Sequence, residues 1–85
     1  MGVLQQILER FDGEEILIAD GFDEAVIGIE ESTMRAIYSI TKCLNILEAD
    51  GMSDEDALEY FYFNVESAYV GEKTPIFCFD DFKNL

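Results

Sequence analysis

The feature that most constrains this chain is the imbalance of its charge. Its 85 residues include 19 acidic side chains, five basic side chains and no histidine, which gives a formal net charge of -14. A folded body with this charge keeps its carboxylates at the surface, and their mutual repulsion opposes folding. The same charge repels nucleic-acid phosphates and anionic membranes, and it attracts basic protein surfaces. We therefore expect a basic protein as the partner, and neither nucleic acid nor membrane.

The chain is nevertheless typical of a folded protein, because 49% of its residues are apolar, 13% are aromatic and only one is proline. The length supports one modest core, so we predict a single domain over residues 1–85. No stretch approaches the roughly 20 apolar residues of a membrane span. The first residues lack the basic region of a signal peptide. These observations predict a cytoplasmic protein.

The first half of the chain predicts a short helix followed by strands. An apolar stripe at helical spacing marks residues 3–11, before Asp12-Gly13 ends the helix. The run EILIAD at residues 15–20 is continuous and rich in isoleucine, which is typical of a buried strand. Residues 25–29 and 34–39 are two further apolar runs, joined by the polar stretch EEST, and they predict a hairpin. The stripe of the first helix consists of Val3, Leu4, Ile7, Leu8 and Phe11.

The second half predicts two helices and a last strand. From Ile40 the apolar residues recur at helical spacing, with Ser39 as the N-cap and Gly51 just beyond the end. SDED at residues 53–56 matches a capping box and predicts a third helix from about Asp54 to Tyr69. PIFCF at residues 75–79 adds a strand, and the final DDFKNL is expected to fray.

These elements predict an α+β fold. We expect a small antiparallel sheet of about three strands packed on two C-terminal helices, with an N-terminal amphipathic helix. Cys43 and Cys78 have no CxxC spacing and no histidine near them, so we expect two small buried side chains without a disulfide or a metal.

Phe63 does not fit the predicted core. Tyr60, Phe61, Tyr62 and Phe63 are consecutive, so at 100° per residue they cannot share one helix face. Phe63 falls among acidic residues on the helical wheel. Two interpretations remain open at this point: either the C-terminal segment folds over Phe63, or Phe63 is an exposed anchor for a partner or a second copy of the chain. The core arc of this wheel consists of Ala57, Leu58, Tyr60, Phe61, Val65 and Ala68, with Tyr62 and Tyr69 at one edge.

Two groups of acidic residues are the remaining candidates for a partner-binding site. One group aligns along the outer face of the third helix, and the other lies at the predicted end of the first strand. A solvated acidic face is one explanation of such groups. The other is capture of a basic partner, with carboxylates imitating the closely spaced phosphates of duplex DNA. The groups are Glu55, Glu59 and Glu66 on the helix, and Asp20, Asp23 and Glu24 at the strand end.

The sequence offers little for catalysis. Without histidine there is no Ser-His or Cys-His nucleophile and no histidine metal site. The stretch at residues 50–59 lacks the glycine and the residue order of a calcium loop. No glycine-rich phosphate loop is present. We therefore predict no catalytic residues, no cofactor and no bound metal.

Three stretches of the chain resemble a family of small uncharacterised acidic proteins of tailed bacteriophages and prophages. They are GFDEAVIGI (21–29), YSITKCLNIL (38–47) and DGMSDEDALEYFYFNVESAYVGEKTPIF (50–77). The resemblance implies a phage origin, and hence the host cytoplasm, but no activity. Small acidic phage proteins include anti-restriction and anti-CRISPR factors, an analogy at the level of class.

Together these observations predict a non-enzymatic phage protein that binds a basic host protein, such as a nuclease, through its acidic surface. Counter-defence by DNA mimicry is the concrete form of this hypothesis. One alternative is a homo-oligomeric accessory protein whose acidity serves solubility. Another is a small-molecule-binding protein with its pocket between the sheet and the helices.

Overall fold

The computed structural model describes residues 2–83 and gives an α+β fold, as predicted. An N-terminal helix precedes a small sheet, and two further helical segments lie between the second and third strands. In chain order the elements are α1 (Val3–Arg10), a short 3-10 turn (Asp23–Ala25), β1 (Val26–Glu30), β2 (Arg35–Ser39), α2 (Ile40–Ala49), α3 (Asp54–Tyr60), a π-helix (Phe61–Glu66) and β3 (Ile76–Cys78).

The hairpin of β1 and β2 is confirmed, and its strands pair antiparallel. The register shifts by one residue just before Gly28. The turn is organised by Glu30, whose carboxylate accepts hydrogen bonds from the hydroxyl and amide groups of Thr33 and Ser32. These bonds, those of the Thr33 side chain first, lower the pKa of Glu30 to about 2.

The sheet is mixed, because β3 pairs parallel with β2 while β1 pairs with it antiparallel. The strand order is β1-β2-β3, so β2 is central and is paired on both sides. A parallel pair needs a long crossover connection, and α2, α3 and the π-helix supply it. The expectation of an antiparallel sheet therefore holds for the hairpin alone.

The strand predicted at residues 15–20 is wrong. This segment has no regular secondary structure. A side chain holds it in place, since the Ala19 backbone amide donates a hydrogen bond to the Tyr38 hydroxyl over 2.8 Å. Ile16 and Ala19 pack against the core, whereas Ile18 is exposed. An apolar run indicates that a segment is buried, but a strand also requires a neighbouring strand with which to pair. In this sheet the third strand is β3, not the segment at residues 15–20.

Helix α2 begins and ends as predicted. Ser39 is its N-cap and Gly51 follows its last turn with a positive φ of 106°. The Gly51 amide donates to the Glu48 carbonyl over 3.0 Å, and the Met52 amide donates to the Leu47 carbonyl over 3.3 Å. These two bonds form a Schellman motif, which satisfies carbonyls at the helix end and turns the chain toward α3.

The third helix begins at its predicted N-cap, since the Ser53 hydroxyl accepts from the Asp56 amide over 3.2 Å. The predicted continuous helix to Tyr69 is wrong. The α-helix ends at Tyr60, a π-helix continues to Glu66, and the chain leaves helical geometry after Ser67. A π-helix bonds i to i+5 and so winds more widely, which makes a wheel drawn at 100° per residue invalid beyond Tyr60.

The core face of this helical segment is narrower than the wheel predicted. It consists of Ala57 and Phe61, both buried, and the half-buried Val65, each four residues from the next. Of the four consecutive aromatic residues only Phe61 enters the core, where its ring meets the ring of Phe77 edge-on at 5.5 Å. The other side chains that the wheel placed in the core are exposed: Leu58, Tyr60, Tyr62, Ala68 and Tyr69.

The core lies between the sheet, α1 and the later helices, and it includes one of the two cysteines. Cys43 is fully buried, and burial raises the pKa of its thiol to about 12. Cys78 in β3 is only half-buried, so the expectation that both cysteines are buried holds for Cys43 alone, and both thiols are free. The buried apolar residues are Leu4, Ile7, Phe22, Ala25, Val26, Ala36, Tyr38, Ile40, Cys43, Leu47, Ala57 and Phe61.

Candidate protein-binding surface

Phe63 is an exposed aromatic residue on the π-helix. Its side chain is 76% exposed, so the expectation that the C-terminal segment covers it is wrong. That segment covers Phe61 instead, through the ring of Phe77. The two aromatic residues are only two positions apart in sequence, yet one belongs to the core and the other to the surface.

Phe63 lies at a shallow acidic depression of about 360 Å³. Two carboxylates line it together with the aromatic ring, which makes an apolar contact area with a negative border. Interfaces concentrate their binding energy on such aromatic anchors surrounded by polar groups. The residues that line this acidic depression are Met52, Asp56, Glu59, Tyr60, Phe63 and Asn64.

The three acidic residues predicted on the third helix are exposed, and they are divided between α3 and the π-helix. Glu55 and Glu59 are four residues apart on α3 and therefore share a face. Glu66 is the last residue of the π-helix. Because that segment winds more widely, the seven-residue spacing from Glu59 does not set Glu66 on the same line. The structure thus joins Glu59 to Phe63 more directly than it joins Glu59 to Glu66.

The second predicted acidic group is split by the fold. Asp20, Asp23 and Glu24 are all exposed, but no strand ends at Asp20, so their expected place at a strand end is wrong. Asp20 lines a cleft against the π-helix. Asp23 and Glu24, in the 3-10 turn, line a different depression beside the end of α2.

Two cations of the chain donate hydrogen bonds to backbone carbonyl groups. The Arg35 guanidinium donates to the carbonyl of Thr74, and the Lys73 ammonium donates to the carbonyl of Thr33 over 2.9 Å. Together they tie the hairpin turn to the loop before β3.

A pair of carboxyl groups at the corner between α2 and α3 was missed from the sequence. A hydrogen bond between Glu48 and Asp54 raises the pKa of Glu48, with some burial and the charge of Asp54 adding to the effect. Glu48 lies at the C-terminal end of α2, where a negative charge also opposes the helix dipole. The signal was present as two acidic residues flanking a predicted helix stop.

A second concavity, here called the apolar cleft, lies where the sequence marked no residues, although a pocket between the sheet and the helices was one alternative. It has a volume of about 250 Å³ and lies between the segment at residues 17–22, the π-helix and the chain around β3. No local pattern marks it, because the fold alone brings these three parts of the chain together. Its lining residues are Leu17, Ile18, Ala19, Asp20, Phe22, Tyr60, Asn64, Val65, Ala68, Val70, Pro75 and Phe77.

Within residues 2–83, no helix has the length and the hydropathy needed to cross a membrane. The same part of the chain contains no group of three or more Cys, Asp or Glu side chains arranged to hold a metal ion. No protein-family model, curated protein or solved structure matches the sequence or the fold.

Proposed function

We propose that this protein acts by binding a basic protein through the surface around Phe63, without catalysis. The observation that carries the proposal is the 76% exposure of Phe63 beside the carboxylates of Asp56 and Glu59. An exposed aromatic ring bordered by polar groups is typical of a protein-binding site. The net charge of -14 selects that partner, because it accelerates association with positively charged surfaces and disfavours acidic ones.

In its concrete form the proposal is counter-defence: a phage protein that blocks a basic nucleic-acid-binding host protein, such as a nuclease, by presenting carboxylates in place of phosphates. The resemblance to small acidic phage proteins and the high density of carboxylates support this form. A nuclease groove that binds duplex DNA is lined with Lys and Arg, and an acidic protein competes for those side chains.

Affinity capture from host lysate tests the proposal when it compares two charge-matched variants. In the first, Glu55 and Glu59 are replaced by Gln and Asp56 is replaced by Asn. In the second, the control, Glu14, Glu15 and Glu31 are replaced by Gln, because these residues are also exposed and lie elsewhere. We expect a basic protein to be captured by the parent and the control and to be lost from the first variant. Equal capture by both variants would show that only net charge matters.

The mimicry form needs its own test with the captured protein in purified form. We expect the acidic protein to displace duplex DNA from it, and the displacement to weaken as salt screens the charges. Simultaneous binding of DNA and the acidic protein would contradict mimicry while leaving the protein complex intact.

A homo-oligomer is the second candidate, favoured by a separate set of exposed aromatic residues. Tyr69, Phe79 and Phe82 are 78%, 51% and 84% exposed. Repulsion between copies that each have a net charge of -14 opposes self-association at low salt. Sedimentation at low and high salt therefore tests this candidate: a stable oligomer at both would favour it over capture of a basic partner.

A further inference from the structure

The apolar cleft and the acidic depression are neighbours that share a wall. Tyr60 and Asn64 line both of them. On one side of this wall are Asp56, Glu59 and Phe63, and on the other are mainly apolar side chains from three parts of the chain. A single bound segment that crosses the wall would therefore meet a negative surface and an apolar cleft in succession.

The wall lies where α3 continues into the π-helix, and hydrogen bonds from side chains to the backbone stabilise it. The Asn64 side-chain amide donates to the Tyr60 carbonyl over 3.3 Å, and the Ser67 hydroxyl donates to the Phe63 carbonyl over 2.8 Å. Short π-helical segments occur frequently at functional sites. Here the segment separates Phe61 in the core from Phe63 at the surface, so the wall is fixed by the core beneath it.

The size of the apolar cleft limits what it can hold. Its volume of about 250 Å³ is below the roughly 300 to 1,000 Å³ of typical cofactor and drug-sized ligand sites. It is large enough for one aliphatic or aromatic side chain. The polar groups in its lining, such as those of Asp20 and Asn64, suit a ligand that has positive charge next to its apolar part.

The charge of the chain decides which kind of protein supplies that side chain. A second copy would bring another -14 to the same surface, whereas a basic segment would neutralise Asp56 and Glu59. We propose that the apolar cleft receives an aliphatic or aromatic side chain from the basic partner, while a neighbouring Lys or Arg of that partner lies over Asp56 and Glu59. This inference rests on the proposed function and specifies its partner as an amphipathic basic segment.

Two short synthetic peptides serve as the probes. One has a central phenylalanine flanked by lysines, and the other has glutamine in place of the phenylalanine. We expect the phenylalanine peptide to bind the parent at least about tenfold more tightly. In NMR titrations it should shift the amide signals of Val65, Ala68 and Phe77, which line the cleft. Equal dissociation constants for the two peptides would overturn the inference.

A cleft-filling variant has a matched control. Ala68 is exposed and lines the cleft, so Ala68→Trp should abolish the preference for the phenylalanine peptide. Ala49 is also exposed but lies at the end of α2, so Ala49→Trp should retain the preference. Retention of the preference by Ala68→Trp, with its NMR spectrum otherwise native, would refute cleft binding. The amide shifts in the parent keep the test valid if Ala68→Trp does not fold.

The failure of this inference is distinguishable from failure of the proposed function. The variant Asp56→Asn, Glu59→Gln should weaken binding of both peptides by a similar factor, because it alters only the charges. If both peptides bind equally and this variant weakens both, the acidic surface still binds basic partners and only the cleft is excluded. If neither peptide binds the parent, both proposals are contradicted.

Discussion

Ser39 joins three parts of the molecule through one hydroxyl group. It is fully buried at the end of β2. Its Oγ accepts a hydrogen bond from the Lys42 amide over 3.1 Å, which caps α2. The same hydroxyl donates to the Asp80 carboxylate over 2.6 Å, which ties the C-terminal segment to the sheet. The sequence predicted the cap, but it gave no sign of the bond to Asp80.

We expect Ser39→Ala to lower the free energy of unfolding by about 1 to 2 kcal/mol, because the helix loses its cap and the Lys42 amide loses its acceptor. Urea unfolding measures this loss. Ser67→Ala is the control, since it removes an exposed hydroxyl that donates to the Phe63 carbonyl, and we expect a change within about 0.5 kcal/mol. A Ser39→Ala variant as stable as this control would show that water replaces the cap.

Glu48 links stability to pH at the same scale. Its folded-state pKa is raised above the ordinary 4.5, so its contribution to stability is complete below 4.5 and is lost as pH rises through the folded-state pKa. As Glu48 loses its proton with rising pH, the hydrogen bond that it donates to Asp54 is lost. The amide of Glu48→Gln donates to Asp54 at every pH, so we expect this variant to raise Tm at pH 7.

The gain from Glu48→Gln should disappear near pH 4, where the parent Glu48 carries its own proton. Glu31→Gln removes the same charge from an exposed turn and serves as the control. Thermal melts at both pH values measure the difference. Equal Tm changes for the two variants at pH 7 would show that net charge, not the contact with Asp54, is responsible.

At the scale of the elements, the sequence predicted the features that depend on residues close together in the chain. The hairpin, the cap at Ser53 and the helix stop at Gly51 each depend on neighbouring residues, and all three are confirmed. The segment at residues 15–20 and the end of the third helix depend on distant partners. Tyr38 binds the segment at residues 15–20, and Phe77 packs against Phe61, just after the end of α3. Neither contact can be predicted from a local sequence pattern.

The candidate surface divides in the same way. The helical wheel separated Phe63 from the core and grouped it with Glu59, because the π-helix that carries Phe63 directly continues α3, which carries Glu59. The apolar cleft was not predictable, since it unites chain segments that are remote in sequence. The expected alignment of Glu66 with Glu59 assumed α-helical geometry, which ends at Tyr60.

Phe61 and Phe63 form a matched pair for a test of this element. Phe63→Ala should leave the free energy of unfolding nearly unchanged and weaken the partner complex by about 2 kcal/mol or more, because Phe63 is exposed. Phe61→Ala should cost about 3 to 5 kcal/mol of stability, because it leaves a cavity in the core. Denaturant unfolding and binding titrations separate the two effects. A large stability loss from Phe63→Ala with unchanged binding would eliminate its role as an anchor.

At the scale of the whole molecule, repulsion among 19 carboxylates opposes folding. We expect Tm at pH 7 to rise when about 0.3 M NaCl is added, since the screening length then falls below roughly 10 Å. Replacing Glu14, Glu15 and Glu31 by Gln reduces the repulsion beforehand, so this variant should gain less from salt. An unchanged or lower Tm in salt would indicate that the carboxylates are already well separated.

The parallel pairing of β2 with β3 also has a consequence for synthesis on the ribosome. β2 is complete at Ser39, but one of its two edges stays unpaired until Ile76–Cys78 has been translated. An unpaired edge next to apolar side chains invites pairing with other chains. Nascent chains that stall between these two strands should therefore be the aggregation-prone species, whereas chains that extend through Asp80 can pair this edge and form the hydrogen bond between Ser39 and Asp80.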